Sequence, residues 1–240
     1  MKKLIHILSL TSIFTINASV FVSGNNVQLT DKTTITICRG DITKAPVEAI
    51  VNAANQQLLA GGGVCGAIFA AAGKAQLQTE CDKHPIYAGT DAVRCPTGEA
   101  KITSGCALTT RGIRYIIHAA GPDCRLIKDE KEQDELLRST YESILALADH
   151  HGITSIALPF ISSAIYAFPK ERAAHIALET IMEYTMEYTF EHKNDTHLKQ
   201  INFVLFSPDD YELFEQTISS LNKNYRLLEK ILSPLNSNRR

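Results

Sequence analysis

The chain has 240 residues, with 24 basic and 26 acidic side chains, a formal net charge of −2 and 45% hydrophobic residues. These values belong to an ordinary globular protein and exclude a collagen-like, low-complexity or intrinsically disordered chain. The balance of charge offers no general polyanion surface, so no nucleic-acid partner is expected.

Met1, Lys2 and Lys3 form a short basic start. Residues 4–23 carry no charge, yet serine, threonine, asparagine and His6 interrupt their apolar run. That is too polar for a membrane span and fits a secretory signal with a modest apolar core. Residues 1–24 are therefore expected to be a signal peptide, cut after Gly24 or Ser19, and the protein to be exported to the periplasm or secreted. The alternative is a buried N-terminal element of a cytosolic protein. Removing the segment takes Lys2 and Lys3 with it and leaves no membrane span in the mature chain.

Two β-rich runs, 26–30 and 33–39, flank Asp31-Lys32 and predict a hairpin. Residues 49–53 are a short apolar run of the kind found in buried strands. An alanine-rich stretch at 66–73 predicts a helix, with a second helical segment at 74–83. A strand follows at 115–119, stopped by Gly121-Pro122. Residues 131–151 put Leu136, Leu137, Tyr141, Ile144, Leu145 and Ala148 on one helical face, and Gly152 stops that helix. A strand at 155–159, an amphipathic helix at 170–188, a strand at 201–206 and a helix from about 209 complete the pattern. Strands interleaved with helices predict an α/β fold, a sandwich with helices on both faces of a central sheet. The early hairpin makes that sheet mixed. From Asn222 onward, Lys223, Arg226, Lys230, Arg239 and Arg240 face only Glu229, so 222–240 is expected to be a fraying, solvated basic tail.

The cysteines are Cys38, Cys65, Cys81, Cys95, Cys106 and Cys124. An even count in an exported chain invites disulfides. Cys81, His84 and Cys95 offer three zinc ligands. No fourth is evident, and the three are better explained as surface loop residues; no metal is expected. His118, inside an apolar strand, is expected to be a satisfied core histidine.

Chemistry concentrates in three segments. Gly40-Asp41-Ile42-Thr43 follows a strand, and the Asp41 carboxylate can accept hydrogen bonds from a ligand amino group or cap the next turn. Val51-Asn52-Ala53-Ala54-Asn55 leaves a buried strand with two amides suited to ribose hydroxyls. After residues 56–60 come Gly61, Gly62 and Gly63, then Val64, Cys65 and Gly66. Glycines allow close backbone approach, and a helix starting there favours an anion at its N-terminus. Together these parts predict a diphosphate site. The third segment runs from Pro159 through Ser162, Ser163, Ala164, Ile165 and Tyr166 to Pro169, a strand-to-helix loop with donors for a second phosphate. Gly61, Gly63 and Gly66 match the dinucleotide fingerprint by spacing only, because residues 56–60 separate them from the strand. Gly73-Lys74 is followed by alanine, so there is no Walker-type loop.

In this order, Gly-Asp-Ile-Thr, Val-Asn-Ala-Ala-Asn, Gly-Gly-Gly-Val-x-Gly-Ala-Ile and Pro-x-Ile-Ser-Ser-x-x-Tyr resemble the macrodomain family, with support from Thr97-Gly98-Glu99-Ala100 and Ile117-His118-Ala119-Ala120-Gly121-Pro122. The resemblance covers roughly residues 26–221. It implies a three-layer α/β/α sandwich that binds ADP-ribose and hydrolyses mono-ADP-ribosyl esters, carboxylate linkages or O-acetyl-ADP-ribose. The alternative it leaves is a reader that binds ADP-ribose without cleaving it. By resemblance, Asp41 contacts the adenine amino group with Ile42 beside it, and Phe206 packs on adenine. Asn52, Ala53 and Asn55 form the strand end, with Asn55 near the distal ribose. Gly61, Gly62, Gly63 and Val64 make the first phosphate loop, and Ser162, Ser163, Ala164, Ile165 and Tyr166 the second. Asn55 and Cys65 are the candidate catalytic residues. Many hydrolytic members carry aspartate at the position of Cys65, histidine at that of Phe69 and glycine at that of Ala164. Alphavirus members share the cysteine and an aromatic four residues on. The resemblance implies no cofactor, ADP-ribose or an ADP-ribosylated protein as partner, and a monomer.

Overall fold

Which helices cover which face of the sheet follows from the alternation of side chains along its strands. The computed structural model describes residues 22–28, 33–191 and 196–237. Its strands are β1 (Val22–Gln28), β2 (Thr34–Arg39), β3 (Ala49–Ala53), β4 (Ala100–Ser104), β5 (Tyr115–Ala119), β6 (Ser155–Leu158) and β7 (Gln200–Leu205). The helices are α1 (Gly63–Ala72), α2 (Lys74–Asp82), α3 (Glu130–His150), α4 (Lys170–Glu191) and α5 (Pro208–Ser237). Ile35 and Ile37, Ala49 and Val51, Ile117 and Ala119, Ile156 and Leu158, and Ile201 and Phe203 face one way and pack with α3, α4 and α5. Cys38, Ile50, Ile116, Ala157 and Val204 face the other way and pack with α1 and α2. Period two along each strand thus yields two cores and three layers.

The sheet order is β1-β2-β7-β6-β3-β5-β4. β2, β7, β6, β3 and β5 are mutually parallel, while β1 and β4 close the two edges antiparallel. The mixed sheet of the sequence analysis is therefore present, with all five inner carboxyl ends on one edge. Ligands of open α/β sheets bind at that edge.

Several boundaries differ from expectation. β4 was not anticipated, because an edge strand with only Ala100 and Thr103 buried lacks a clean apolar pattern. Helix α1 starts at Gly63 rather than 66, which places two of the three loop glycines at its cap. Helix α5 continues to Ser237, so residues 222–237 are helical rather than a fraying tail, and 238–240 lie outside the described residues. The Asp31-Lys32 turn and residues 1–21 also lie outside them. Val22 and Ser23 pair with Arg39 and Cys38 in β1–β2. All six cysteines are free thiols; Cys81 and Cys95, expected on surface loops, are fully buried. Among the described residues no helix is long and apolar enough to cross a membrane.

Helix α5 is tied to the core by Phe214, fully buried with its ring 4.8 Å from that of Phe160 and 4.7 Å from that of Phe203. Phe214→Ala is expected to cost about 3–5 kcal/mol in urea unfolding. A loss under about 1 kcal/mol would mean that α5 contributes little to the fold.

Candidate functional site

A cleft of about 250 Å³ opens at the carboxyl ends of β6, β3 and β5. One wall is the glycine loop, Gly61, Gly62 and Gly63, with Val64 and Cys65 of the first turn of α1. The opposite wall is the loop after β6, with Phe160, Ile161, Ser162, Ala164, Ile165 and Tyr166. The floor is Ala53, Ala54 and Asn55 after β3, and Ala119 and Gly121 after β5.

Helix α1 is capped by Gly62, whose backbone is extended and which has no side chain to satisfy the helix start. The first N–H groups of a helix have no intrahelical partner, so those of the opening turn are left to whatever occupies the cleft. Gly63 has φ +58°, a conformation that side-chain-bearing residues rarely adopt. Across the cleft, a Cβ on Gly62 would come within 4.0 Å of Ile165 Cδ1. The two loops therefore approach each other closely across the mouth of the cleft. Among the described residues its lining holds no aspartate, glutamate, histidine, lysine or arginine. An anion here is held by backbone N–H groups and the helix dipole rather than by a salt bridge.

Asn55 builds the turn that delivers the glycine loop. Its Oδ1 accepts from Leu59 N–H at 3.0 Å and its Nδ2 donates to Leu59 C=O at 2.8 Å. One lone pair and one N–H of the amide stay available to a ligand. The Cys65 thiol lies beneath the loop, accepting from Gly61 N–H at 3.4 Å and donating to Leu59 C=O at 3.8 Å. No titratable base is among its hydrogen-bond partners, which leaves it a poor candidate for a nucleophile. Phe69, one turn further on, is buried on the sheet, its ring 6.3 Å from that of His118.

In the second loop, Ser162 has φ +63° and a buried Oγ without a hydrogen-bond partner. An unpaired buried hydroxyl costs about 1–3 kcal/mol unless a ligand satisfies it. Ser163 instead donates to Phe160 C=O at 2.9 Å and does not line the cleft.

Other sequence candidates lie elsewhere. Asn52, expected at the ligand, is fully buried on the α1–α2 face and bonds His118 Nδ1 at 3.1 Å. The cause is strand parity: Asn52 shares its face with Ile50, whereas Asn55 lies past the strand end. His118 is a core histidine as expected. Burial pushes its pKa down to about 3, and the neutral ring also meets Thr103 Oγ1 at 3.0 Å. Asp41 caps the short 3-10 helix Ile42–Lys44, accepting from Thr43 N–H at 3.0 Å and Thr43 Oγ1–H at 2.8 Å. Burial works to raise its pKa, but the Thr43 hydrogen bonds and the Lys44 charge outweigh it and hold the carboxyl below its ordinary value. Ile42 is buried, while Phe206, just past β7, is 89% exposed. These three lie outside the cleft lining, at the β2 and β7 ends of the same edge. Cys81 and Cys95 have pKa values raised by burial to about 12 and about 11, and His84 bonds Ile102 C=O; no metal-binding group occurs among the described residues.

Gly66 and Gly121 shape the cleft through contacts between residues that are not neighbours in sequence. A Cβ on Gly66 would strike Gly61 C=O at 2.7 Å, and one on Gly121 would strike Ser162 Oγ and Ile161 Cγ2. Each lets a ligand loop seat directly on its neighbour.

The Macro domain family profile matches residues 51–177. A macro domain-containing protein of Listeria monocytogenes is 44% identical over 187 residues, covering 78% of this chain and 97% of that protein. A Pantoea vagans protein named O-acetyl-ADP-ribose deacetylase 1 is 43% identical over 180 residues, 75% of this chain and 95% of its own. The Oceanobacillus iheyensis macrodomain with ADP superposes with a TM-score of 0.70 at 36% identity, covering 87% of this chain and all of that one. The chain belongs to the macro domain family.

Gly121→Ala is expected to destabilise the fold by about 1–3 kcal/mol through overpacking against Ile161 and Ser162. Urea unfolding measures this; an unchanged midpoint would mean that the second loop moves freely.

Proposed function

We propose that the cleft binds ADP-ribose and that the protein hydrolyses mono-ADP-ribosyl ester or carboxylate linkages or O-acetyl-ADP-ribose. The observation that carries this reading is the cleft walled by the glycine loop and the loop after β6, with the start of α1 lacking a side-chain cap beside it. The order of the sheet then sets the ligand's direction. Adenine lies toward Asp41 and the exposed Phe206 at the β2 and β7 ends, and the distal ribose toward Asn55 and Tyr166. The deacetylase name of the Pantoea relative and the ADP in the Oceanobacillus structure support the same ligand class.

Hydrolysis consumes one water: at an anomeric carboxylate linkage its hydroxyl goes to the sugar carbon and its proton to the released carboxylate, whereas at O-acetyl-ADP-ribose its hydroxyl goes to the acetyl carbon and its proton to the sugar oxygen. With no carboxylate or imidazole lining the cleft, the substrate's own diphosphate serves as the base. A positioned general base contributes about 10²–10⁴-fold, so turnover is expected to be slow. Cys65→Asp should preserve or raise it, and Cys65→Ala should cost little. Asn55→Ala should lower turnover more than binding. Calorimetry with a chelator present should show ADP-ribose binding that depends little on ionic strength, because no side-chain cation takes part. Release of ADP-ribose by excess enzyme over hours decides the activity. Binding without release would establish the reader alternative, and no binding would remove the assignment.

We further propose export of the protein, on the uncharged run at 4–23. Cutting after Ser19 keeps β1 whole, whereas cutting after Gly24 removes the Val22 and Ser23 pairs. A reporter carrying residues 1–24 should be exported and processed; retention in the cytosol would refute this.

A further inference from the structure

We propose that a second cavity, which shares Tyr166 with the cleft, receives the leaving group: the ADP-ribosylated side chain and adjoining backbone of a peptide substrate. This rests on the ADP-ribose reading above. The cavity holds about 190 Å³ and shares Ala54, Gly121 and Tyr166 with the cleft. Along the sheet edge the sequence of ends is β2, β7, β6, β3, β5 and then the start of β4. A ligand with adenine at β2 and diphosphate at β6 and β3 brings its distal ribose toward β3 and β5. Whatever is joined to that ribose continues toward β4, where Thr97 and Gln57 wall the second cavity.

The chemistry of these walls suits a peptide. Gln57 makes no hydrogen bond to the protein among the described residues, so its amide offers both a donor and an acceptor to backbone groups. Thr97 is fixed by Gln56 Nε2, which donates to its Oγ1 at 3.0 Å, and the Gln56 carbonyl is held by Arg94 N–H and Cys95 N–H. Leu126, 78% exposed, gives an apolar shelf at the mouth. The outer wall is tied together by polar contacts. Cys124 N–H donates to Tyr166 C=O at 2.9 Å, and Arg125 grips Asp123 with Nε at 2.9 Å and Nη2 at 2.6 Å. The Arg125 guanidinium lies 5.7 Å from the centre of the Tyr166 ring. The Asp123 charge is thereby neutralised, and the cavity presents neutral polar groups with one apolar side.

The test compares two substrates of the full chain: a peptide mono-ADP-ribosylated on glutamate, and O-acetyl-ADP-ribose, whose acetyl group offers no peptide backbone to the Gln57 amide. Gln57→Trp fills the cavity and Gln57→Ala removes the amide. Both should lower kcat/KM for the peptide through KM, Gln57→Trp by about tenfold or more, the equivalent of about one or two hydrogen bonds. Turnover of O-acetyl-ADP-ribose and calorimetric binding of ADP-ribose should stay unchanged. Equal losses on both substrates, or no loss on the peptide, overturn the proposal. If the wild type binds ADP-ribose without turnover, the modified peptide should bind more tightly than ADP-ribose, and Gln57→Trp should erase the difference; equal affinities overturn the proposal. Failure of the wild type to bind ADP-ribose at all refutes the ligand assignment instead, which separates the two claims.

Discussion

Helix α1 begins on glycine with no side-chain cap, and its opening N–H groups are presented to the cleft. Gly61, Gly62 and Gly63 are exposed, so water serves these N–H groups until an anionic ligand displaces it. The neighbouring parts follow from holding the start of α1 there. Asn55 folds residues 55–59 back so that the glycine loop arrives from the side. The Cys65 thiol ties that loop to the helix it precedes, and Gly66 leaves room for the Gly61 carbonyl. Opposite, Ser162 in a left-handed conformation leaves an unpaired polar atom, its Oγ. The site is thus built from withheld backbone and hydroxyl hydrogen bonds, not from charge.

Both sheet faces bury polar side chains. Gln133, Thr140, Asp149, Thr180 and Thr185 of α3 and α4 lie on one side, and Asn52, His118, Thr103 and Asn202 of the strands on the other. The Asn52–His118–Thr103 chain lies directly beneath the helix whose N-terminus makes the site. Such buried bonds are strong in a low-dielectric interior and restrict the alternatives open to the strands that carry them. They join β3, β5 and β4, two of which end in the cleft floor.

Much of this was legible from the residues, and the failures have physical causes. The inner strands read correctly because each is a short apolar run bounded by turn residues. The edge strand β4 did not, since half-exposed positions such as Lys101 and Ser104 break the pattern. The glycine run located the site, but whether Gly63 belongs to loop or helix depends on the cap, which glycine does not reveal. Asn52 and Asn55 are chemically alike, and only strand parity separates a core amide from a ligand-facing one. Asp41 left two roles open; its hydrogen bonds to Thr43 realise the capping role while keeping it on the ligand edge. Gly121 read as a strand stop, because its contact with Ser162 joins residues far apart in sequence.

The α1–α2 layer also encloses thiols, and this bears on where the chain can survive. Disulfide exchange needs an accessible thiolate, and its rate scales with the fraction of thiol ionised. With the Cys81 and Cys95 pKa values raised to about 12 and about 11 by burial, that fraction near neutral pH is about 10⁻⁵ to 10⁻⁴. Both sulfurs are also shut off from solvent. An oxidant therefore meets them only when the helical layer opens, and their redox lifetime is set by the frequency of local unfolding rather than by thiol chemistry.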